Sequence, residues 1–211
     1  MIGRPSDEDM LDVACTVFAE LGFRAATMDD IAARAGTSKP TLYAHFGNKD
    51  DLYRRCAEWS AESLGAHLSD AFASAAELPL EGQIRAGMTT LFGYAAQHPP
   101  KFLLLFGTDP VGPATTTRDR LARVTTAEIA VRIRDFTERH GRGRWGVSAE
   151  LCASMIVGLT LEGARYALAN DSLDASTAGE FATAFTVSAL RHIDPARVGE
   201  IDGAAPSAEI G

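Results

Sequence analysis

Cysteine is scarce in this chain, with three residues among 211, at positions 15, 56 and 152. That spacing matches neither a zinc site nor a CxxC redox motif, and so small a number builds no disulfide framework. Each cysteine falls on an apolar position of an expected helix and reads as a reduced core thiol, with a redox-sensing pair as the alternative. Long hydrophobic runs are missing: no stretch of about twenty apolar residues occurs, so no membrane-spanning helix is expected. The amino terminus has no basic start followed by an apolar block, so no signal peptide is expected either, and the reading is cytoplasmic. Catalytic signatures are missing too. There is no phosphate loop, no Gly-x-Ser-x-Gly, no zinc motif and no suggestive pair of carboxylates. His67, His98, His140 and His192 lack metal-ligand spacing, and no cofactor is expected.

What is present is a helical pattern throughout, in a chain that is 46% hydrophobic and carries a formal net charge of -8. The most informative stretch is TMDDIAARAGTSKPTLYAHF, residues 27 to 46. Met28, Ile31, Ala32 and Ala35 fall at i, i+3, i+4 and i+7, one apolar stripe of a helix. Thr27 followed three residues later by Asp30 is a capping-box variant that starts this helix. Gly36 stands where a helix commonly ends in a left-handed residue. Ser38 is a good N-cap for a second helix, and Pro40 is tolerated in its first turn, whose N–H groups have no intrahelical partner. Two short helices, about 27–35 and 39–46, joined at Gly36-Thr37-Ser38, have the form of a helix-turn-helix, whose second helix enters the DNA major groove. Charge agrees: from Ile31 to Lys49 there is no carboxylate, while Arg34, Lys39 and Lys49 are present. Phosphate would be repelled by the average surface but not by this patch.

The segments DMLDVACTVFAELGF and RAATMDDIAARAGTSKPTLYAHFGNKDDLY resemble the DNA-binding domain of the TetR/AcrR family of transcriptional regulators over about residues 8 to 54. The resemblance rests on Leu21-Gly22-Phe23 at the end of helix one, Thr27, Ile31-Ala32, Ala35-Gly36, Thr41-Leu42-Tyr43, His45-Phe46, and Lys49 with Leu52. It implies an all-α homodimer that binds a palindromic operator and is released by a small molecule. The domains are then 4–64 for DNA binding and 65–194 for effector binding and dimerisation; after Asp194-Pro195 the chain becomes small, polar and Gly/Ala-rich, so 195–211 reads as a flexible tail that frays. Many relatives carry several basic residues before helix one. Here only Arg4 is available to a minor groove, and Ser6-Asp7-Glu8-Asp9 suits a helix start instead.

The resemblance implies DNA contact by Thr27, Thr37, Ser38, Lys39, Thr41, Tyr43, His45 and Lys49. Lys39 begins the recognition helix, the end that meets base edges; the plain alternative is a solvated lysine. Thr37, Ser38 and Thr41 are short enough for close hydrogen bonds to phosphate or base, and Ser38 and Thr27 serve equally as caps. Tyr43, His45 and Lys49 resemble family positions that contact the phosphate backbone; no acid neighbours His45 in sequence. Leu42 and Phe46 are structural.

Further along, helices are expected at about 49–72, 80–97, 101–107, 114–140, 148–170 and 176–192. The apolar run Phe102-Leu103-Leu104-Leu105-Phe106 is ambiguous by periodicity and is assigned to helix for want of a partner strand. A dimer seam is expected on the last two helices, from Phe181, Ala184, Phe185, Ser188 and Ala189 with Leu151, Met155, Gly158, Leu159 and Gly163; an internal core would show the same pattern. Candidate effector-binding residues are Met88, Phe92, Phe102, Phe106, Phe136, Met155, Glu162 and Tyr166. Aromatics and methionines on helices also serve as plain core, and Glu162 can pair with Arg165 at i, i+3. The competing classes are a helical adaptor that keeps the helix-turn-helix as scaffold, and a helical enzyme.

Overall fold

The computed structural model describes residues 5–107 and 114–203, which form ten α-helices and no strand. In order these are α1 (Asp7–Ala25), α2 (Met28–Arg34), α3 (Lys39–Phe46), α4 (Lys49–Ser74), α5 (Leu80–Gln97), α6 (Pro99–Phe106), α7 (Thr115–Arg139), α8 (Val147–Leu168), α9 (Ala175–His192) and α10 (Pro195–Gly203). The all-α class and each helix expected from the periodicity are found, α6 among them. Arg4 and the segments 108–113 and 204–211 lie outside the described residues.

The helices of the amino-terminal segment start and stop where local chemistry dictates. Ser6 Oγ accepts from the Asp9 N–H at 3.1 Å while Asp9 accepts from the Ser6 N–H at 2.9 Å, a reciprocal capping box. Thr27 and Asp30 repeat the device at 3.1 and 3.0 Å. Gly36 has φ +64°, and the N–H groups of Gly36 and Thr37 return to the carbonyls of Ala33 and Ala32. These bonds make a Schellman motif that satisfies the end of α2. Ser38 caps α3 by accepting from Thr41 N–H at 3.2 Å, and Asn48 caps α4 by accepting from Asp51 N–H at 3.0 Å. Inside α1, Gly22 leaves helical geometry at φ +76°, ψ 157°, so the regular helix breaks before Phe23.

The described residues divide into two compact units. The first takes in Met1–Ser69 and Gly93–Leu121, the second Asp70–Phe92 and Ala122–Gly211, so the division falls within α4, α5 and α7. In the first unit, Leu11, Cys15 and Phe18 of α1, Ile31 of α2, Leu42 of α3 and Leu52 and Cys56 of α4 share one core with Leu104 and Leu105 of α6. Lys101 of α6 lies 3.8 Å over the Trp59 ring and 3.3 Å from Asp12 of α1, a cation held by both an aromatic face and a carboxylate.

In the second unit α8 and α9 pack side by side, and their inner faces are small. Ala149, Ala153, Thr160, Ala164 and Ala167 of α8 are buried, as are Ala178, Gly179, Ala182 and Thr183 of α9. Small residues let helix axes approach closely. Between α8, α9 and α5 sits the ring of Phe92: a Cβ added at Gly163 would lie 3.1 Å from it, and one at Gly179 3.5 Å. By length and composition alone α8 is long and apolar enough to cross a membrane, but Glu150, Glu162 and Arg165 interrupt it, so the chain still has no unbroken run of about twenty apolar residues. Its apolar character serves two faces of one helix, because the small inner face is buried and Leu151, Met155 and Tyr166 stand outside.

The expectation of a frayed chain after Pro195 is corrected for residues 195–203. They form α10, which buries Val198 beside Trp145 and Ile133. Asp202 accepts from the N–H groups of Ser148 (2.8 Å) and Gly146 (3.0 Å) and from Ser148 Oγ (2.7 Å), and so caps α8. Burial works against the charge on Asp202, but these donors outweigh it and hold its carboxyl below the usual range.

Candidate nucleic-acid interface

The start of α3 is presented by the caps on either side of it. The Schellman turn at Gly36 ends α2, Ser38 begins α3, and Leu42, fully buried, fixes the helix on the first-unit core. Burying one leucine side chain is worth about 2 kcal/mol, and with half-buried Phe46 packed against the same core it sets the rotation of a helix of eight residues. The residues left outside are Lys39, Pro40, Tyr43, Ala44 and His45, with Tyr43 47% exposed. The sequence-derived candidates Lys39, Tyr43 and His45 are therefore on the outer side of α3, while Thr37 and Thr41 are half-buried at its edge.

The polar candidates are not free side chains. Thr27 Oγ1 donates to Asp30 at 2.6 Å while accepting from the Asp30 N–H, and Ser38 Oγ lies 2.8 Å from Thr41 Oγ1. Lys39 Nζ lies 2.8 Å from Asp29 Oδ2, and that hydrogen bond and charge raise the lysine pKa. Arg34 pairs with Glu20, and Arg54 with Asp51. His45 Nδ1 lies 2.7 Å from Asp7 Oδ1. The acid absent from its sequence neighbourhood is supplied from 38 residues away. With Nδ1–H donating to Asp7, a neutral ring turns the Nε2 lone pair outward and has no proton for phosphate; only the imidazolium donates from both nitrogens.

Lys49 is placed differently from its expected role. Its ammonium donates to the carbonyls of Phe23 (2.9 Å), Ala26 (3.0 Å) and Arg24 (3.4 Å) and lies 4.7 Å over the Phe23 ring. All three donors are spent on the chain after the break at Gly22, so the residue fastens the end of α1 to the start of α4. Over residues 7–58 there are ten Asp and Glu against six Lys and Arg, a net charge of -4. Phosphate attraction in this segment is therefore local rather than a property of the whole surface.

The amino-terminal segment matches the model of "Bacterial regulatory proteins, tetR family" over residues 10–56. Along most of the chain, 193 residues, it is 29% identical to the HTH-type transcriptional activator FasR of Mycolicibacterium smegmatis, covering 90% of this chain and 86% of that protein.

The chain is similar to TetR-family regulators.

It is also 38% identical over 74 residues to the HTH-type transcriptional repressor KstR2 of Rhodococcus jostii, a match covering 35% of this chain and 33% of that protein. The fold matches the regulator FadR from Bacillus subtilis, solved in complex with stearoyl-CoA, at a TM-score of 0.71 and 18% identity, over 87% of this chain and 98% of that one. TetR-family regulators are DNA-binding proteins and not enzymes, and the relatives that match this chain are named transcriptional regulators.

The effector candidates are scattered through the chain. Phe102 and Phe106 pack within the first unit, their rings 5.2 Å apart. Met88 and Phe92 are buried on α5 in the second unit, where Thr160 Oγ1 meets Met88 Sδ at 3.2 Å. Met155 and Tyr166 are 64% and 62% exposed on α8, and Glu162 is tied to Arg165 at the surface. Phe136 lines a cleft, with Pro79, Leu80, Ile84, Val187 and Leu190 as its apolar walls and Glu81, Arg142 and Arg191 as polar ones. The cleft encloses about 130 Å³. Arg142 is already engaged with the carbonyls of Leu190 and Arg191, and Arg191 with Glu81. Sequence reasoning missed the cleft because its wall comes from residues 79–84, 136–142 and 187–191, with no local motif to mark it.

Proposed function

We propose that this regulator binds a palindromic operator as a homodimer in the cytoplasm and is released from DNA by a small molecule held in its second unit. The observation that carries the dimer is the outer face of α8 and α9. Phe181 is 73% exposed, Phe185 55%, Met155 64% and Leu151 46%. Aromatic side chains so placed in a neighbouring cluster are characteristic of an interface rather than a solvated surface. One recognition helix reads too few base pairs to select a genomic site, and a two-fold pair reads two half-sites, about 34 Å apart along the duplex. Lys39 and Tyr43, with Thr37, Ser38 and Thr41 at the helix edge, supply the contacts; Thr27 reaches phosphate only where Asp30 releases it, and His45 only where Asp7 releases it or the ring carries both protons.

A cavity of about 130 Å³ is smaller than the ~300 Å³ and upward that small-molecule sites occupy. An effector that occupies this cleft therefore needs its wall side chains to move before it fits. A ligand that fits only the rearranged state shifts the population towards it, and by reciprocity weakens whatever the original state binds. Repression is the favoured direction, in line with relatives named as repressors. Activation is the second reading, because the relative that matches over 90% of the chain is named an activator.

Selection of bound sequences from random duplex DNA tests the reading, with a Lys39→Ala/Tyr43→Ala double variant as control. An enriched palindrome that the control loses supports it. Stearoyl-CoA and a panel of apolar small molecules are then screened for release of that site. A folded dimer that enriches nothing overturns the reading.

A further inference from the structure

We infer that Asp29 is a positioning residue for DNA recognition, which holds the Lys39 ammonium away from phosphate and presents it to a base edge. The inference rests on the reading of α3 as the recognition helix. Asp29 sits in the first turn of α2 and Lys39 in the first turn of α3. Their side chains are 69% and 46% exposed, yet Nζ and Oδ2 are 2.8 Å apart. Thr27 and Asp30 already cap α2 with each other, so Asp29 is left over from that task.

The chemistry of the pair follows from charge and donor count. An ammonium carries three donors, and Asp29 takes one. A lone lysine at this end of α3 would be drawn to any phosphate, whatever the sequence. Paired with a carboxylate it is close to neutral as a unit, and the carboxylate itself repels phosphate. The two remaining donors still match the O6 and N7 acceptors that guanine shows in the major groove. Asp29 thereby removes sequence-independent attraction from Lys39 and leaves its directional hydrogen bonding. The same economy runs through the domain, where Arg34 meets Glu20, His45 meets Asp7 and Arg54 meets Asp51. Lys39 differs from these in standing at the helix end that faces base edges.

The test is a double-mutant cycle, read on the selected operator and on random duplex DNA across a salt series. Asp29→Asn, checked for native helicity by circular dichroism, should bind random duplex about 3- to 5-fold more tightly, the scale of one released surface ion pair. Its salt dependence on random duplex should steepen by about one unit, as one more phosphate contact requires. Discrimination between operator and random duplex should fall by at least that factor of about 3 to 5, because the operator loses the presented Lys39 while random duplex gains a phosphate contact; in a Lys39→Met background the gain from Asp29→Asn should vanish. A merely structural role at the start of α2 moves neither the salt slope nor the Lys39 dependence. The inference is overturned if Asp29→Asn leaves random-duplex affinity unchanged, or if its gain persists without Lys39. Failure of the wild-type protein to enrich any site would instead remove the reading of α3 itself.

Discussion

The two units treat their large side chains differently. In the first, Phe18, Leu42, Leu52 and Tyr53 are inside, and the exposed positions of α3 carry lysine, tyrosine and histidine. In the second, α8 and α9 bury alanine, glycine and threonine and turn Leu151, Met155, Tyr166, Phe181 and Phe185 outward. The usual sorting of large apolar groups to the interior is satisfied in one unit by the chain alone. In the other, Phe72, Met88, Phe92, Ile133 and Trp145 are inside as well, and it is the outer face of α8 and α9 that departs from the rule, as the proposed dimer requires. The lesson is that an apolar stripe by itself does not say whether its burial belongs to a protomer or to an assembly.

The sharpest way to break this contrast is Phe181→Glu with Phe185→Glu. Two aromatic anchors at the centre of an interface together contribute about 4 kcal/mol or more, so dimer dissociation should rise about a thousand-fold. Sedimentation velocity should find a helical monomer with little operator affinity. A protein that unfolds without passing through a folded monomer would instead make the stripe an internal core. Next in size, Lys49→Met sharpens the first unit's side of the comparison. Loss of charged hydrogen bonds to three carbonyls should lower stability to urea by about 2 kcal/mol. The salt slope of DNA binding should stay as in the wild type, because the ammonium is spent on the backbone; a slope reduced by about one would restore it as a phosphate contact.

The smallest effect belongs to Asp202→Asn, which weakens the cap on α8 by about 1 kcal/mol. The sign of its pH dependence follows from the depressed carboxyl of Asp202. The stabilisation is present above the ordinary aspartate range and is lost as pH falls through the lower value in the folded protein. Thermal melts of wild type and variant should therefore differ at pH 7 and converge towards pH 3. A gap that stays constant would mean that the charge of Asp202 does no capping.

What the sequence made legible in the first unit lies within a few residues of itself. Ser6 with Asp9, Thr27 with Asp30, Gly36 and Ser38 announce helix ends through bonds of three to five residues' reach. What stayed hidden is what distant segments bring. Asp7 meets His45, Lys49 meets the carbonyls after Gly22, and Asp202 meets Ser148, at separations of 38, 23 to 26 and 54 residues. The amino-acid composition after Pro195 suggested fraying because the anchors of α10, Val198 and Asp202, find their partners only in three dimensions. The effector candidates are dispersed for a related reason. Periodicity identifies a stripe on α8, but Met155 and Tyr166 share that helix with Ala153 and Ala164, and nothing local says which face turns inward.

The ring of Phe92 occupies the room left by Gly163 and Gly179. It is a guest on a tether, bound to the very backbone that forms its host. A molecule that enters there does not fill an empty space. It evicts an occupant whose tether keeps it at an effective concentration on the order of millimolar or above. The affinity measured for such a molecule is a difference between two guests, and trimming the resident is then a route to tightening the response without touching any contact the newcomer makes.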